Sequence, residues 1–212
     1  MSTHWRHGLT APRFAPLLGA VIGALGGVVY WLGVQIWPAS IAVVLSMLAT
    51  VLLSAGIDSP AERGARAAVG GRFGSVGFVF AVLVKYNALM ALTAASLPVA
   101  LPPNLALGLI MIAGQAASRA LGVSVIAPPA RGAGAPASHG DVAIALAIGF
   151  APAALIGIPG LIGLVAAIVA RAALAACIRR RRPSVAAAGL GMIQQQTEIC
   201  FYLGALGSWS YI

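Results

Sequence analysis

From Phe14 to Ile36 the chain carries no charged residue, and the run stops at Trp37-Pro38. A helix that crosses a bilayer needs about 20 mainly apolar residues. Six more such stretches follow: Ser40–Ala55, Val76–Leu97, Leu105–Ile126, Val142–Ile158, Leu161–Ile178 and Ala186–Leu206. The pattern predicts an all-α fold, a polytopic integral membrane helix bundle of about seven transmembrane helices. Pro159-Gly160 separates the fifth stretch from the sixth, and a bent hairpin there leaves six or eight helices open. Composition agrees, because 60% of the 212 residues are hydrophobic and 8% are charged, against about 25% charged in soluble domains. Such a chain cannot cover a soluble surface. That excludes a secreted disulfide scaffold, an ordinary cytosolic enzyme and a disordered regulator. The first stretch is too long for a signal-peptide core and has no convincing cleavage site after it. The whole chain, 1–212, reads as one membrane domain with cytoplasmic loops at about 56–75, 127–141 and 179–185.

The net charge is +9, from 13 basic and 4 acidic residues. Arg6 and Arg13 precede the first stretch, and Arg63, Arg66 and Arg72 separate the second from the third. Arg131 follows the fourth, and Arg179, Arg180, Arg181 and Arg182 follow the sixth. The alternate connections, near Trp37, Pro98 and Pro159, carry no charge. Arginine-rich loops stay in the cytoplasm, which predicts a cytoplasmic N-terminus and an outside C-terminus. The basic residues therefore speak for orientation in a lipid bilayer, and no nucleic-acid partner is expected. Cys177 and Cys200 have no metal-like spacing and read as small buried hydrophobes. Gly19, Gly23 and Gly27 stand four residues apart, a spacing that lets helix backbones approach closely. Packing within the chain is the preferred reading of that stripe; a homo-oligomer seam is the other. No internal repeat supports an inverted-repeat transporter.

Charged and polar groups inside a membrane usually face a bundle interior or an aqueous cavity. At 1.5 Å per residue, Lys85 lies roughly 15 Å into the third stretch, and Glu198 lies at a similar depth in the seventh. Arg171 is about 10 Å in from the arginine run, and Arg119 is nearer the surface. These four, with Gln194, Gln195 and Thr197, predict a polar cavity open to the cytoplasm, with Lys85 and Glu198 as a pair. For Arg119 and Arg171, snorkelling to the interface stands equally beside it. Asp58 and Glu62 sit in the 56–75 loop, where Pro60 favours a turn over a helix. Loop carboxylates can hold Mg²⁺ together with substrate phosphates, or can simply balance Arg63 and Arg66. Gly70-Gly71-Arg72-Phe73-Gly74 could bring backbone amides and an arginine to a phosphate. His4, His7 and His139 form no pattern, and the chain has no nucleophilic triad, haem motif or zinc spacing.

The same residues carry a family likeness. Leu53-Ser54-Ala55-Gly56-Ile57-Asp58-Ser59-Pro60-Ala61-Glu62, Arg72-Phe73-Gly74-Ser75-Val76-Gly77, Val84-Lys85-Tyr86-Asn87-Ala88-Leu89 and Ser118-Arg119 occur in order. They end in Leu190-Gly191-Met192-Ile193-Gln194-Gln195-Gln196-Thr197-Glu198. This series resembles the cobalamin synthase family of integral membrane enzymes. The resemblance implies a Mg²⁺-dependent transferase of a bacterial inner (plasma) membrane that joins adenosylcobinamide-GDP to α-ribazole, or its 5′-phosphate, and releases GMP. It implies that Asp58 and Glu62 hold the metal and that Arg72 and Arg119 bind phosphate. Lys85 and Glu198 would shape the catalytic pocket, with Gln194 and Gln195 beside them toward substrate. The chain also departs from the family pattern: Gly56 stands for a histidine, Glu62 and Ala65 for aspartates, and Ala187-Ala188 for a glycine-aspartate pair. Those losses keep open a lapsed homologue that binds corrinoid or supports a membrane complex without turnover. A small-molecule transporter is the third reading.

Overall fold

The computed structural model describes residues 12–57, 72–94, 102–124, 138–179 and 186–209. A short 3-10 turn, Pro12–Phe14, leads into seven α-helices: α1 Ala15–Gly33, α2 Ala39–Ile57, α3 Arg72–Ala94, α4 Pro103–Val123, α5 His139–Ile156, α6 Ile158–Arg179 and α7 Ala186–Trp209. There are no strands among the described residues. Five helices, α1, α3, α4, α5 and α6, are long and apolar enough to cross a membrane. The apolar part of α2, Ala39–Ala55, is shorter, and α7 carries Glu198 and a run of three glutamines.

Helix α4 is the centre of the bundle. Of its apolar window 83% is buried, against 22–39% for the other four long helices. Burial on every side follows from small residues: Ala113, Ala116, Ala117 and Ala120 are fully buried, so neighbours come close to its backbone. Helix α1 meets it through the glycine stripe. A Cβ on Gly23 would fall 2.6 Å from the Ile112 Cα, and one on Gly27 would fall 2.8 Å from the Gly108 Cα. The opposite face of α1, with Leu17, Val21, Leu25, Val28 and Leu32, is exposed. In lipid, burying a leucine brings no hydrophobic gain over leaving it in the acyl chains, so close packing of small residues decides which face turns inward. The stripe thus works within the chain, as its spacing suggested. Helices α6 and α7 repeat the device, with Gly204 facing the Gly163 Cα at 2.9 Å from a Cβ placed there.

Several boundaries differ from the sequence reading, each for a local reason. The Gly70–Gly74 segment is not a glycine-rich loop throughout, because α3 already begins at Arg72; α2 likewise extends to Ile57. The 127–141 loop ends early because Ser138 caps α5 reciprocally with Asp141. The Ser138 Oγ accepts from the Asp141 amide at 3.1 Å, and the Ser138 amide donates to Asp141 Oδ2 at 3.2 Å. Asp141 also suits the positive end of the helix dipole, and Arg13 stands 4.0 Å from it. The break between α5 and α6 falls at Gly157, with φ +82°, rather than at Pro159-Gly160. Proline is tolerated in a first helical turn, where its missing N–H has no partner to lose. Cys177 is exposed and Cys200 half-buried, which corrects the reading of both as buried. With bulky faces turned to lipid, an apolar thiol needs no burial.

The α1–α4 seam has a direct test. Gly23→Leu or Gly27→Val should lower stability by about 1–3 kcal/mol through overpacking, read as a fall in the thermal midpoint in detergent. Gly77→Ala, where an added Cβ meets nothing within 4 Å, should leave the midpoint unchanged or raise it slightly through helix propensity.

Candidate active site

Four helices bring polar groups to one end of the bundle. Thr50 and Ser54 lie near the end of α2, Phe78 near the start of α3, Ser118 and Arg119 near the end of α4, and Gln194 and Gln195 in the first half of α7. Together with Val51, Lys85, Gln115 and Glu198 they line a cavity of about 100 Å³. A water needs roughly 10–15 Å³ of such space, so the cavity holds several waters or one polar portion of a ligand. Val51 and Phe78 are about half exposed and form its apolar rim.

Glu198 organises the floor. Lys85 and Glu198, both about 5% exposed, pair across α3 and α7 with Nζ 2.7 Å from Oε1. Gln115 Nε2 of α4 donates to the same Oε1 at 2.8 Å, and so does the Tyr202 hydroxyl, one helical turn along α7, at 2.8 Å. The Lys85 ammonium also lies over the Tyr202 ring, 5.9 Å from its centroid. Tyr202 is held edge-on to Phe201 at 6.0 Å and 79°, and Gly114 leaves room for its ring. A charge buried in a low-dielectric interior is tolerable only when paired and hydrogen-bonded. Here three donors from three helices meet that condition.

Arg119 does not snorkel. It is 8% exposed, lines the cavity, and its Nη2 donates to Ser54 Oγ at 3.2 Å. Arg171 is half-buried and donates from Nη2 to the Ser124 carbonyl at 2.8 Å, beside the end of α4. It lies outside the cavity lining, and a cation at a helix C-terminus is favourable there. Thr197 is fully buried but returns its hydroxyl to its own helix, at Ile193 O, 2.7 Å.

The structure therefore brings Lys85, Glu198, Arg119, Gln194 and Gln195 to one cavity and leaves Arg171 and Thr197 outside its lining. Asp58 and Glu62 lie outside the described residues. Arg72 opens α3, and its side chain is likewise outside them. Sequence reasoning did not assign Gln115, Thr50, Ser54 or Ser118 to the cavity on spacing alone, nor Tyr202 to Glu198 beneath it. Tyr202 follows Glu198 by four positions, and Gln115 precedes Arg119 by four, so both were within reach of the helical repeat. No group of three His, Cys, Asp or Glu residues that could hold a metal occurs among the described residues.

Curated relatives span nearly the whole chain. An adenosylcobinamide-GDP ribazoletransferase of Shewanella amazonensis is 30% identical over 94% of this chain and 85% of its own length. That of Leptothrix cholodnii is 30% identical over 97% and 87%, and that of Ralstonia nicotianae is 29% identical over 94% and 85%. This chain belongs to the adenosylcobinamide-GDP ribazoletransferase family. The family is that of the cobalamin synthases, which bears out the resemblance seen in the motifs. No family model matches the chain, and no solved structure matches it.

The ion pair gives the second test. Lys85→Met or Glu198→Gln alone should cost about 3–5 kcal/mol, because each strands the other charge. The double replacement should cost clearly less than either. Thermal unfolding of the three variants in one detergent measures the difference; additive losses would contradict the pairing.

Proposed function

We propose that this protein joins adenosylcobinamide-GDP to α-ribazole, or to its 5′-phosphate, and releases GMP. The supporting observation is a cavity lined by an arginine, a lysine–glutamate pair and paired glutamines, in a chain that two ribazoletransferases match over 94% and 97% of its length. In the reaction a ribazole hydroxyl attacks the phosphorus that bears the cobinamide alcohol. The new O–P bond forms as the bond to the GMP oxygen breaks, and the hydroxyl proton is released. Displacement at phosphorus asks a protein mainly for alignment and charge neutralisation. Arg119 supplies positive charge at the cavity wall, held by Ser54. Gln194 and Gln195 offer amide donors and acceptors beside it. Arg72 is assigned to phosphate by the family likeness.

Mg²⁺ is part of this reading. The described carboxylates do not fit it: Asp141 is engaged by its capping box, and Glu198 is engaged by three donors. We therefore assign the metal to Asp58 and Glu62, which follow Ser54 of the cavity wall in sequence. Asp58→Asn keeps the shape and removes the charge, and should abolish Mg²⁺-dependent GMP release by the purified protein. Full turnover in that variant would overturn the metal assignment. A second reading is favoured by Gly56, Ala65 and Ala188, which stand where the family carries a histidine and aspartates. Under it the protein binds corrinoid nucleotide without turnover. Corrinoid binding with no GMP release by the wild type would select that reading.

From the arginine pattern we further propose a cytoplasmic N-terminus in a bacterial cell, an outside C-terminus and a cavity that faces the cytoplasm. In a background carrying Cys177→Ser and Cys200→Ser, His139→Cys should react only with reagent on the cytoplasmic side and Ile212→Cys only on the outer side. Labelling of both from one side would overturn this orientation.

A further inference from the structure

The three contacts that hold Glu198 are unevenly shared between its two oxygens. Lys85 Nζ at 2.7 Å, Gln115 Nε2 at 2.8 Å and the Tyr202 hydroxyl at 2.8 Å all make their close approach to Oε1. Oε2 receives none of the three. An ionised carboxylate has about four acceptor positions shared over its two oxygens, so three donors on Oε1 leave capacity on the other. Glu198 is about 95% buried, with a relative exposure of 5%, and it lines the cavity. Donors from α3, α4 and α7 thus hold the carboxylate at one oxygen, in a residue that lines that space.

We propose that Glu198 Oε2 accepts a hydrogen bond from a ribose hydroxyl of the incoming nucleoside and so positions it in the cavity. This rests on the function proposed above. A carboxylate oxygen repels a phosphate oxygen, so the ligand group that faces it must be a donor. Both substrates carry ribose hydroxyls, but under the proposed reaction it is a ribazole hydroxyl that must reach the phosphorus near Arg119, which lines the same cavity as Glu198, and a volume of about 100 Å³ admits a ribose portion. Lys85 acts through Glu198, holding the carboxylate in place and balancing its charge. Glu198 is then the residue that distinguishes a nucleoside carrying the hydroxyl from one lacking it. A site built to bond a substrate hydroxyl discriminates strongly against the analogue without it, because its buried acceptor is left unpaired.

The test is a protein–ligand double comparison on the full chain in lipid nanodiscs. Binding of α-ribazole, and of analogues each lacking one ribose hydroxyl, is measured by calorimetry for the wild type and for the charge-balanced Lys85→Met/Glu198→Gln variant. One analogue should bind the wild type roughly 10- to 100-fold more weakly than α-ribazole, the range expected for a hydrogen bond to a charged group. In the double variant that ratio should fall to about twofold or less. Should the double variant not fold, Glu198→Asp, which withdraws the carboxylate by one methylene, carries the same comparison and should also reduce the ratio. Equal ratios in wild type and variant for every analogue would overturn the assignment while leaving the proposed function standing. A folded wild type that binds no α-ribazole at all would instead remove the proposed function, and this inference with it.

Discussion

A full charge placed inside a membrane bundle must find its counter-charge there, since neither lipid nor distant water can stabilise it. Lys85 on α3 and Glu198 on α7 meet that condition at 2.7 Å, and much of the surrounding arrangement serves the pair. Gln115 brings α4 into the same contact, and Tyr202 closes it from one turn further along α7. Three helices distant in sequence are thereby tied at one oxygen. A buried ion pair is weak evidence for stability, because desolvation offsets most of its attraction. Its value here is geometric, since few other contacts would fix the relative rotation of α3 and α7 so narrowly.

That geometry depends in turn on how close the helices stand. Five of the buried side chains of α4 are alanines, at 106, 113, 116, 117 and 120, and glycines on α1 and at position 114 remove further obstacles. Larger side chains would push the helices apart and draw Gln115 away from the carboxylate. The hydroxyls of Ser46, Thr50 and Ser118 bond to carbonyls three positions back on their own helices. They add polar surface without stranding a donor in an apolar setting.

The helical class, the approximate spans and the Lys85–Glu198 partnership were legible in the sequence, because lipid thickness fixes helix length and a charge at depth demands an opposite charge. The inward faces were less legible. Helices that are apolar all round show little periodicity, so only the spacing of small residues, as at Gly19, Gly23 and Gly27, marks the interior. Tyr202 was missed for a related reason: among apolar neighbours an aromatic reads as core until a carboxylate one turn away gives its hydroxyl a partner. Pro159 misled because proline marks the start of a helix as readily as its end. Arg119 and Arg171 looked alike in sequence, each an arginine within an apolar stretch that could reach the interface. They parted in the structure because Ser54 stands beside one and the terminal carbonyl of Ser124 beside the other.

Gly157 is the single residue between α5 and α6. A link that short cannot take up slack, since consecutive Cα atoms stand about 3.8 Å apart. The height at which α6 begins is thus set by where α5 ends. From that start, Gly163 must arrive opposite Gly204, and Arg171 must reach the end of α4 about 21 Å below the turn. One inserted residue would rotate α6 by about 100° and turn both contacts away from their partners. The tightest corner of the chain therefore acts as the datum from which a whole side of the bundle is measured.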